Sequence, residues 1–142
     1  MSLSLGLTLG LGGCATGPTG RDRIVKAAAP HCVDQTVQIY FDADSAELTK
    51  EGHAVLNAAA LQARPCKVAS VDVLGLADAT GVADANLELS KRRAQSVTAA
   101  LAAAGLPAGE FKISAAGEAG AVTQGGQSRP LRRRAEIVLH LT

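Results

Sequence analysis

The segment from residue 68 to residue 105 constrains the fold more than any other part of this 142-residue chain. It opens with an alternating, valine-rich run at residues 68–74, a pattern typical of a half-buried strand. A loop containing Gly75 and Gly81 follows, and then a helical stripe ends at Gly105, where glycine favours helix termination. The apolar positions of that stripe are Ala94, Val97, Leu101 and Ala104. A strand that passes through a loop into an amphipathic helix predicts helices packed on a sheet.

The remaining segments extend the same pattern. Residues 36–41, 111–116 and 135–141 are rich in β-formers, so we predict three further strands. Thr49 is expected to cap a first helix that runs to Ala63, and Ser90 to cap the second. The buried side of the first helix is predicted to hold Val55, Ala59 and either Leu56 or Ala60. The predicted fold is an α/β sandwich of order β-α-β-α-β-β, with a mixed four-stranded sheet and the helices on one face.

Composition narrows the class of protein. Aromatic residues make up 2% of the chain, so we expect one domain with a core of Val, Ile, Leu and Ala. The lack of tryptophan disfavours a stacking surface for single-stranded nucleic acid. Fourteen basic and thirteen acidic residues leave a net charge of +1, which indicates no polyanionic partner. We therefore expect no nucleic acid among the partners.

The amino terminus has the character of an export signal. Residues 1–13 are apolar and small, too few to span a bilayer, and no charged residue precedes Arg21. Residues 11–14, L-G-G-C, resemble the lipobox of bacterial lipoproteins, which implies acylation at Cys14. Ala15 in place of Asp then implies the outer membrane. The alternative is an apolar tail with a chance cysteine. Residues 14–33, rich in breakers near both ends, are interpreted as a tether to a domain at residues 34–142.

Two cysteines remain if Cys14 is lipidated. Cys32 precedes the first predicted strand and Cys66 the second, so parallel strands would place both thiols at the same end of the sheet. A disulfide is then possible if the Cα atoms come within about 7 Å. Two independent thiols are the alternative. The spacing of His31, Cys32 and Cys66 is unlike that of zinc sites, so no metal site is predicted.

Two opposite charges follow the second predicted strand. Asp78 lies just past that strand, and Arg93 lies in the predicted first turn of the next helix. A carboxylate accepts hydrogen bonds from an ammonium group, and a guanidinium suits a carboxylate. A helix start also favours anions through its unpaired N–H groups. The pair therefore predicts a site for a ligand that carries both an ammonium and a carboxylate, with a plain salt bridge as the alternative.

Several motifs, in register, resemble one family. Residues 40–48, Y-F-D-A-D-S-A-E-L, are similar to its opening strand and turn. Residues 75–81 resemble its G-x-T-D-x-x-G loop, and residues 86–94, N-L-E-L-S-K-R-R-A, its N-x-x-L-S-x-x-R-A signature. Residues 117–118 and 133–137 are similar to its closing G-E and R-R-V-E-I segments. The chain thus resembles the OmpA-like C-terminal domain of peptidoglycan-associated lipoproteins from about residue 35 to residue 141.

This resemblance implies a periplasmic domain that binds the diaminopimelate of the peptidoglycan peptide stem and tethers the outer membrane to the wall. It implies that Asp78 pairs with the ligand ammonium and Arg93 with its carboxylate, while Asn86 and Leu87 line the pocket. Ala77 stands where the family usually has Thr, which removes a hydroxyl. Arg132 stands where the family usually has Asn. Leu76 and a short loop at residues 119–128 are further departures.

Other clusters of polar residues give weaker signals. Arg129, Arg132, Arg133 and Arg134 form a basic cluster that we interpret as a solvated loop and strand start, or as a contact for anionic wall polymer or lipid headgroups. Asp42, Asp44 and Glu47 are expected to form a turn. The sequence shows no nucleophile motif, so we predict no enzyme and no cofactor. A protein-interaction module of the cell envelope that lacks wall binding is the alternative function.

Overall fold

The computed structural model describes residues 31–127, 129 and 132–142. Three of the predicted features therefore lie outside the described residues: the signal-like residues 1–13, the lipidation candidate Cys14, and the tether up to Pro30. The described domain begins just before the first strand.

Four strands, two α-helices and one short 3₁₀ helix make up the described domain. In chain order they are β1 (Gln35–Tyr40), α1 (Lys50–Ala63), β2 (Val68–Gly75), α2 (Ala83–Ala103), the 3₁₀ turn (Ala108–Glu110), β3 (Phe111–Ala115) and β4 (Arg134–Leu141). The predicted order of elements is confirmed. Within the part of the chain that is described, neither α-helix is long and apolar enough to cross a membrane.

The sheet has the spatial order β1-β4-β2-β3. β4 is antiparallel to both β1 and β2, whereas β2 and β3 are parallel. The sheet is therefore mixed, as predicted. The last strand of the chain lies between the first two, and it brings the segment around residue 133 next to the end of β2.

The core lies between the sheet and the two helices. Buried and partly exposed residues alternate along β2 and β4, so one face of each strand contacts the helices. Apart from Phe41, the buried set is mostly aliphatic, with valines, leucines, isoleucines and alanines drawn from the strands and from the helices: Ile39, Leu56, Ala60, Ala63, Val71, Val73, Ala94, Val97, Leu101, Ala135, Ile137 and Leu139. Both helices thus cover the same face, and the core is mainly aliphatic, as the composition indicated.

Helix α1 begins as predicted. The Thr49 hydroxyl accepts a hydrogen bond from the N–H of Gly52 at 3.0 Å, which satisfies one of the donors at the helix start. One buried residue was predicted wrongly: Val55 is 44% exposed, because the buried stripe passes through Gly52, Leu56, Ala59, Ala60 and Ala63. Val55 is on the flank of that stripe, facing the edge strand β1.

Helix α2 is longer than predicted, and its start was placed wrongly. It begins at Ala83, after Gly81 with φ +93° and an extended Val82, rather than at Ser90. The Ser90 hydroxyl is buried and donates to the carbonyl of Leu87 inside the helix, at 2.8 Å. The buried face explains this: its spacing of three and four residues starts at Asn86 and continues without a break through Leu89, Ser90, Arg93, Ala94, Val97 and Leu101.

A glycine sets the distance between α2 and the end of β2. A Cβ placed on Gly75 would lie 1.8 Å from the Ser90 carbonyl oxygen and 3.2 Å from the Ala94 methyl. The backbone of α2 therefore passes directly over Gly75, and glycine is the residue that fits there. This contact brings the first half of α2 against the sheet edge where β2 ends.

The opposite end of the domain is linked by the Cys32–Cys66 disulfide, with a Cα–Cα distance of 5.6 Å. β1 and β2 both run antiparallel to β4, so they run parallel to each other, and the residues that precede them meet at one end of the sheet. The disulfide thus joins the chain entering β1 to the α1–β2 connection.

His140 on β4 bridges two carboxylates near the same end. Its Nδ1 is 2.7 Å from Asp34 Oδ2, and its Nε2 is 3.3 Å from Asp72 Oδ2. The hydrogen bonds to Asp34 and Asp72 raise the pKa of His140 above its ordinary 6.5. A protonated imidazole donates from both nitrogens, so the charged ring connects the segment before β1 to β4 and β2.

We predict that Gly75→Ala lowers the free energy of unfolding by about 3 kcal/mol or more, or prevents folding, because the new methyl meets helix backbone that cannot yield. Urea denaturation followed by circular dichroism measures this. Gly109→Ala is the matched control, since a Cβ there meets no atom within 4 Å. Equal stability of the two variants would contradict the close approach of α2.

We also predict that the stabilisation from His140 is full below pH 6.5 and is lost as the pH rises through the higher pKa of the folded state. The difference in urea midpoint between the wild type and His140→Gln should therefore be largest at about pH 5.5 and near zero at about pH 9. His53→Gln, on the exposed side of α1, is the control. A difference that does not change with pH would exclude the bridge.

Candidate functional site

The predicted site lies on the rim formed where β2 ends. After Gly75 the chain is held by two backbone bonds: the Leu76 N–H donates to Arg134 at 2.9 Å, and the Ala77 N–H donates to Gly117 at 2.8 Å. Leu76 and Ala77 are buried. The chain therefore reaches the surface at Asp78, with its backbone fixed by β4 and by the turn after β3.

Asp78 presents its carboxylate at this rim. Oδ1 accepts a hydrogen bond from the Thr80 N–H at 3.2 Å, and Oδ2 lies 3.8 Å from Nε of Arg133. The Asp78 side chain is 20% exposed and that of Arg133 is 40% exposed. An ion pair this long and this exposed contributes little to stability, so both groups can exchange their partner for a ligand.

Arg93 is in a different environment from the one predicted. It is fully buried, and its guanidinium donates to three backbone carbonyls: Nε to Ser45 at 2.8 Å, Nη1 to Leu76 at 2.9 Å, and Nη2 to Asp42 at 3.1 Å. Its guanidinium carbon also lies 5.2 Å from the centre of the Phe41 ring, within the range of a cation–π contact. Arg93 thus holds together the two loops that follow β1 and β2.

Two expectations about Arg93 are therefore corrected. It lies nearly three turns into α2, which starts at Ala83, so the unpaired N–H groups of a helix start are not beside it. Its guanidinium is covered rather than open to solvent, because the loops after β1 and β2 fold over it. Asp78 and Arg93 interact through their charges but do not form two open sides of a cleft.

The charge of Arg93 still acts on the rim. Burial lowers the pKa of Arg93, the carboxylates of Asp78 and Asp44 oppose that shift, and the cations Arg133 and Arg92 add to it. Arginine keeps its proton regardless. A permanent positive charge therefore lies below the surface that carries Asp78, and Arg133 is a partly exposed cation beside the Asp78 carboxylate.

Arg133, interpreted from the sequence as part of a solvated cluster, lies beside Asp78. Its backbone carbonyl accepts a hydrogen bond from the N–H of Phe41 at 2.9 Å, so Arg133 lies just before β4, between the ends of β1 and β2. The sequence contains Arg133 in the R-R segment that leads into the last strand. Its position beside Asp78 could not be predicted, because it depends on the last strand of the chain lying in the interior of the sheet.

The other predicted residues, Asn86 and Leu87, take separate roles. The Asn86 amide is buried and donates to Glu118 Oε2 at 2.6 Å. Gly117, whose N–H donates to the Ser90 hydroxyl at 2.9 Å, packs so closely that a Cβ would lie 3.1 Å from the Leu87 Cα. The Leu87 side chain is 37% exposed. Asn86 therefore joins α2 to the turn after β3, while Leu87 offers apolar surface on the first half of the helix.

The loop after β1 completes the rim. Asp42 and Asp44 are exposed, Asp44 has φ +54°, and the Ser45 N–H donates to the Asp42 carbonyl at 3.2 Å. The predicted turn is confirmed. Together with Asp78 and Arg133, these residues give a surface with separate acidic and basic groups, which is suited to a small ligand of mixed charge.

The comparison with known families agrees with the fold and the motifs. The model of the OmpA family matches residues 40–135, more than half of the chain, so this chain belongs to the OmpA family. The match includes the rim, all of α2 and the start of β4.

Two curated relatives illustrate the similarity. The probable lipoprotein YiaD of Escherichia coli K12 is 32% identical over 71% of this chain and 47% of its own length. Outer membrane protein A of Bordetella avium is 31% identical over 69% of this chain and 52% of its own. The chain thus spans about half the length of these relatives.

Several solved structures have the same fold as this chain. The peptidoglycan-associated lipoprotein of Burkholderia pseudomallei superposes with a TM-score of 0.62 and 26% identity, covering 72% of this chain and 88% of that one. The cell wall anchor of the type VI secretion system of Pseudomonas aeruginosa gives 0.63 and 28%, covering 77% and 82%. The OmpA-like domain of FopA1 from Francisella tularensis gives 0.66 at 22% identity, covering 77% and 76%, and supports the fold alone.

We predict that Arg93→Met lowers the free energy of unfolding by about 3 kcal/mol or more, because three carbonyls lose a charged donor inside the protein. Arg92→Met changes the neighbouring exposed arginine and should cost less than about 0.5 kcal/mol. Urea denaturation of both variants measures the difference. Equal costs would show that the carbonyl contacts of Arg93 do not hold the rim.

Proposed function

We propose that this domain binds the peptide stem of peptidoglycan non-covalently, through the zwitterionic centre of its diaminopimelate residue. The observation that carries the proposal is the pair of weakly joined, partly exposed opposite charges, Asp78 and Arg133, on a rim braced by Arg93. A stereocentre with an ammonium and a carboxylate is complementary to that pair in sign.

The relatives support the same function. A peptidoglycan-associated lipoprotein and a cell wall anchor share both the fold and more than a quarter of the aligned residues with this chain. Both names describe attachment to the wall, and the rim of this domain falls inside the region matched by the family model. The proposed activity is binding, and no residue is assigned a chemical step.

Each rim residue has a part in the proposed complex. Asp78 accepts hydrogen bonds from the ligand ammonium, and Arg133 turns its guanidinium from Asp78 to the ligand carboxylate. Arg93 is a positioning residue: it fixes the loops and adds positive charge behind the ligand carboxylate.

The residues of α2 have supporting parts in the proposed complex. Leu87 contacts the carbon chain of the ligand, and Asn86 holds α2 in place through its bond to the turn after β3. Ala77 contributes no hydroxyl.

The expected affinity is low. A charge-assisted hydrogen bond contributes about 1.5–3 kcal/mol, so two of them give about 3–6 kcal/mol, a Kd between millimolar and tens of micromolar. Weak contacts at a single stem suit an attachment that must release and rebind as the wall grows. Many copies anchored in one membrane would then together attach that membrane to the wall, although each single contact is weak.

The cellular role follows if Cys14 is acylated. The lipid would hold the protein at the outer membrane, residues 14–33 would span the gap, and the domain would hold the wall. The tether enters at the disulfide end of the sheet, while Asp78 follows the other end of β2. The two attachments therefore lie at opposite ends of the domain.

We predict that Asp78→Asn and Arg133→Gln each weaken binding of diaminopimelate about tenfold or more and reduce retention on purified sacculi, with the fold unchanged. Isothermal titration and sacculus pull-down measure this. Asp84→Asn, on the exposed first turn of α2, and Arg64→Gln, at the far end of α1, are matched controls.

Unchanged binding in both rim variants would overturn the assigned site. A folded wild type that gives no heat with diaminopimelate and is not retained on sacculi would overturn wall binding itself. That result would favour the alternative of an envelope module that docks a protein.

A further inference from the structure

The Cys32–Cys66 disulfide lies where the proposed tether joins the domain. The described domain starts at residue 31, and Cys32 follows directly. The bond joins residues that are 34 apart in sequence, so the loop that it closes contains β1 and α1. Cys66 lies two residues before β2. A pull on the tether therefore reaches the start of β2 through a covalent bond, as well as the start of β1.

Without that bond the pull would enter the domain through β1. Among the described strands β1 lies at an edge of the sheet and pairs with β4 alone, over residues 35–40. The other contacts of the entering segment are exposed and not covalent: Asp34 is joined to His140 at 2.7 Å and to the N–H of Leu141 at 3.4 Å. Exposed contacts of this kind contribute little. Tension would therefore act first on an edge strand, and then on α1 behind it.

β2 is the strand that leads from the disulfide to the proposed binding rim. The sequence separation is 12 residues from Cys66 to Asp78 and 46 from Cys32 to Asp78, and the difference is the 34 residues that the disulfide closes. β2 supplies eight of the residues between Cys66 and Asp78, and it pairs with β3 on one side and with β4 on the other. The disulfide thus directs a pull between tether and rim along an interior strand.

That strand is already extended, which limits the length that a pull can gain by unfolding it. The 12 residues from Cys66 to Asp78 can lengthen to about 42 Å, since an extended chain spans about 3.5 Å per residue. Of this length β2 already spans about 26 Å, at about 3.3 Å per residue. Without the disulfide the same pull would release roughly 120 Å more of chain. Because force favours a state by the length that it gains, the disulfide removes most of the mechanical gain from unfolding.

We propose that the disulfide is a load-transfer device: under tension between the tether and the rim, it carries the force from Cys32 into β2 and keeps β1 and α1 out of the loaded path. The proposal rests on the proposed function, which puts one attachment at each end of the domain. The mechanical resistance itself is a property of the folded domain and is measured without any ligand.

Single-molecule force spectroscopy tests the proposal by pulling on the full, non-acylated chain in two directions. In the first, one DNA handle is attached at Cys14 and the other at an azide-bearing residue in place of Thr80, beside the rim. In the second, Cys14→Ser removes the first handle, and a C-terminal tag replaces it. Thr142 and Lys67 exchange two backbone hydrogen bonds of 2.9 Å, so the tag pulls from the same end of the sheet. The disulfide lies in the path of the first pull and outside the path of the second.

The comparison is between the native cysteines and the double variant Cys32→Ser, Cys66→Ser in each direction. In the first direction we expect the double variant to unfold with about 120 Å of additional extension, which identifies the path. We also expect it to unfold at a lower force there, with a much smaller decrease in the second direction. The second direction measures the general loss of stability that follows removal of a disulfide.

An equal decrease of the unfolding force in both directions overturns the load path. So does a disulfide-bonded protein that unfolds from Cys14 at no higher force than the double variant. If the double variant does not fold, reductant is added to the folded disulfide-bonded protein under constant load, and unfolding must then follow sooner in the first direction than in the second. A domain that resists the pull but is not retained on sacculi overturns the proposed function alone.

Discussion

The buried guanidinium of Arg93 connects the loops that form the rim. A buried charge is costly unless its donors are satisfied, and here three carbonyls from two separate loops satisfy it. The loops after β1 and β2 are irregular chain, and this shared partner fixes them together with the backbone bonds of Leu76 and Ala77. This contact helps to fix Asp78 at the surface, because Arg93 holds the chain that leads to Asp78 by the Leu76 carbonyl.

The second constraint on the rim is the close backbone contact of α2 with the end of β2 and with the turn after β3. Gly75 lets α2 cross the end of β2, and Gly117 lets the turn after β3 pack on Leu87. The Ser90 hydroxyl joins both contacts, since it donates within the helix and accepts from the Gly117 N–H. The signature at residues 86–94 is therefore mainly the buried face of one helix. Its buried residues hold α2 against the sheet and against the loops that form the rim.

Much of the fold was predictable, because strand alternation, a Thr cap and glycine stops are local signals. The strands, α1 and the end of α2 lie within a residue or so of their predicted bounds. The start of α2 was misjudged because Ser90 has the chemistry of a cap, while the buried spacing that begins at Asn86 is a stronger signal. Val55 was misplaced for a related reason: an apolar residue on the flank of a stripe has the same local appearance as one inside it.

Local patterns were enough to identify the family, the order of the elements and the acid on the rim, because motifs and periodicity depend on neighbours along the chain. Which arginine faces solvent depends instead on how the sheet and its loops are assembled. Arg93 and Arg133 are chemically identical, and although Arg93 shares the helical spacing of the buried face of α2, that spacing does not show that its guanidinium is covered. The distinction arises because β4, last in sequence, lies between β1 and β2 and brings Arg133 to the surface, while two loops close over Arg93. Whether a side chain is buried depends on how the sheet and its loops are assembled, and the order of the residues alone does not give that.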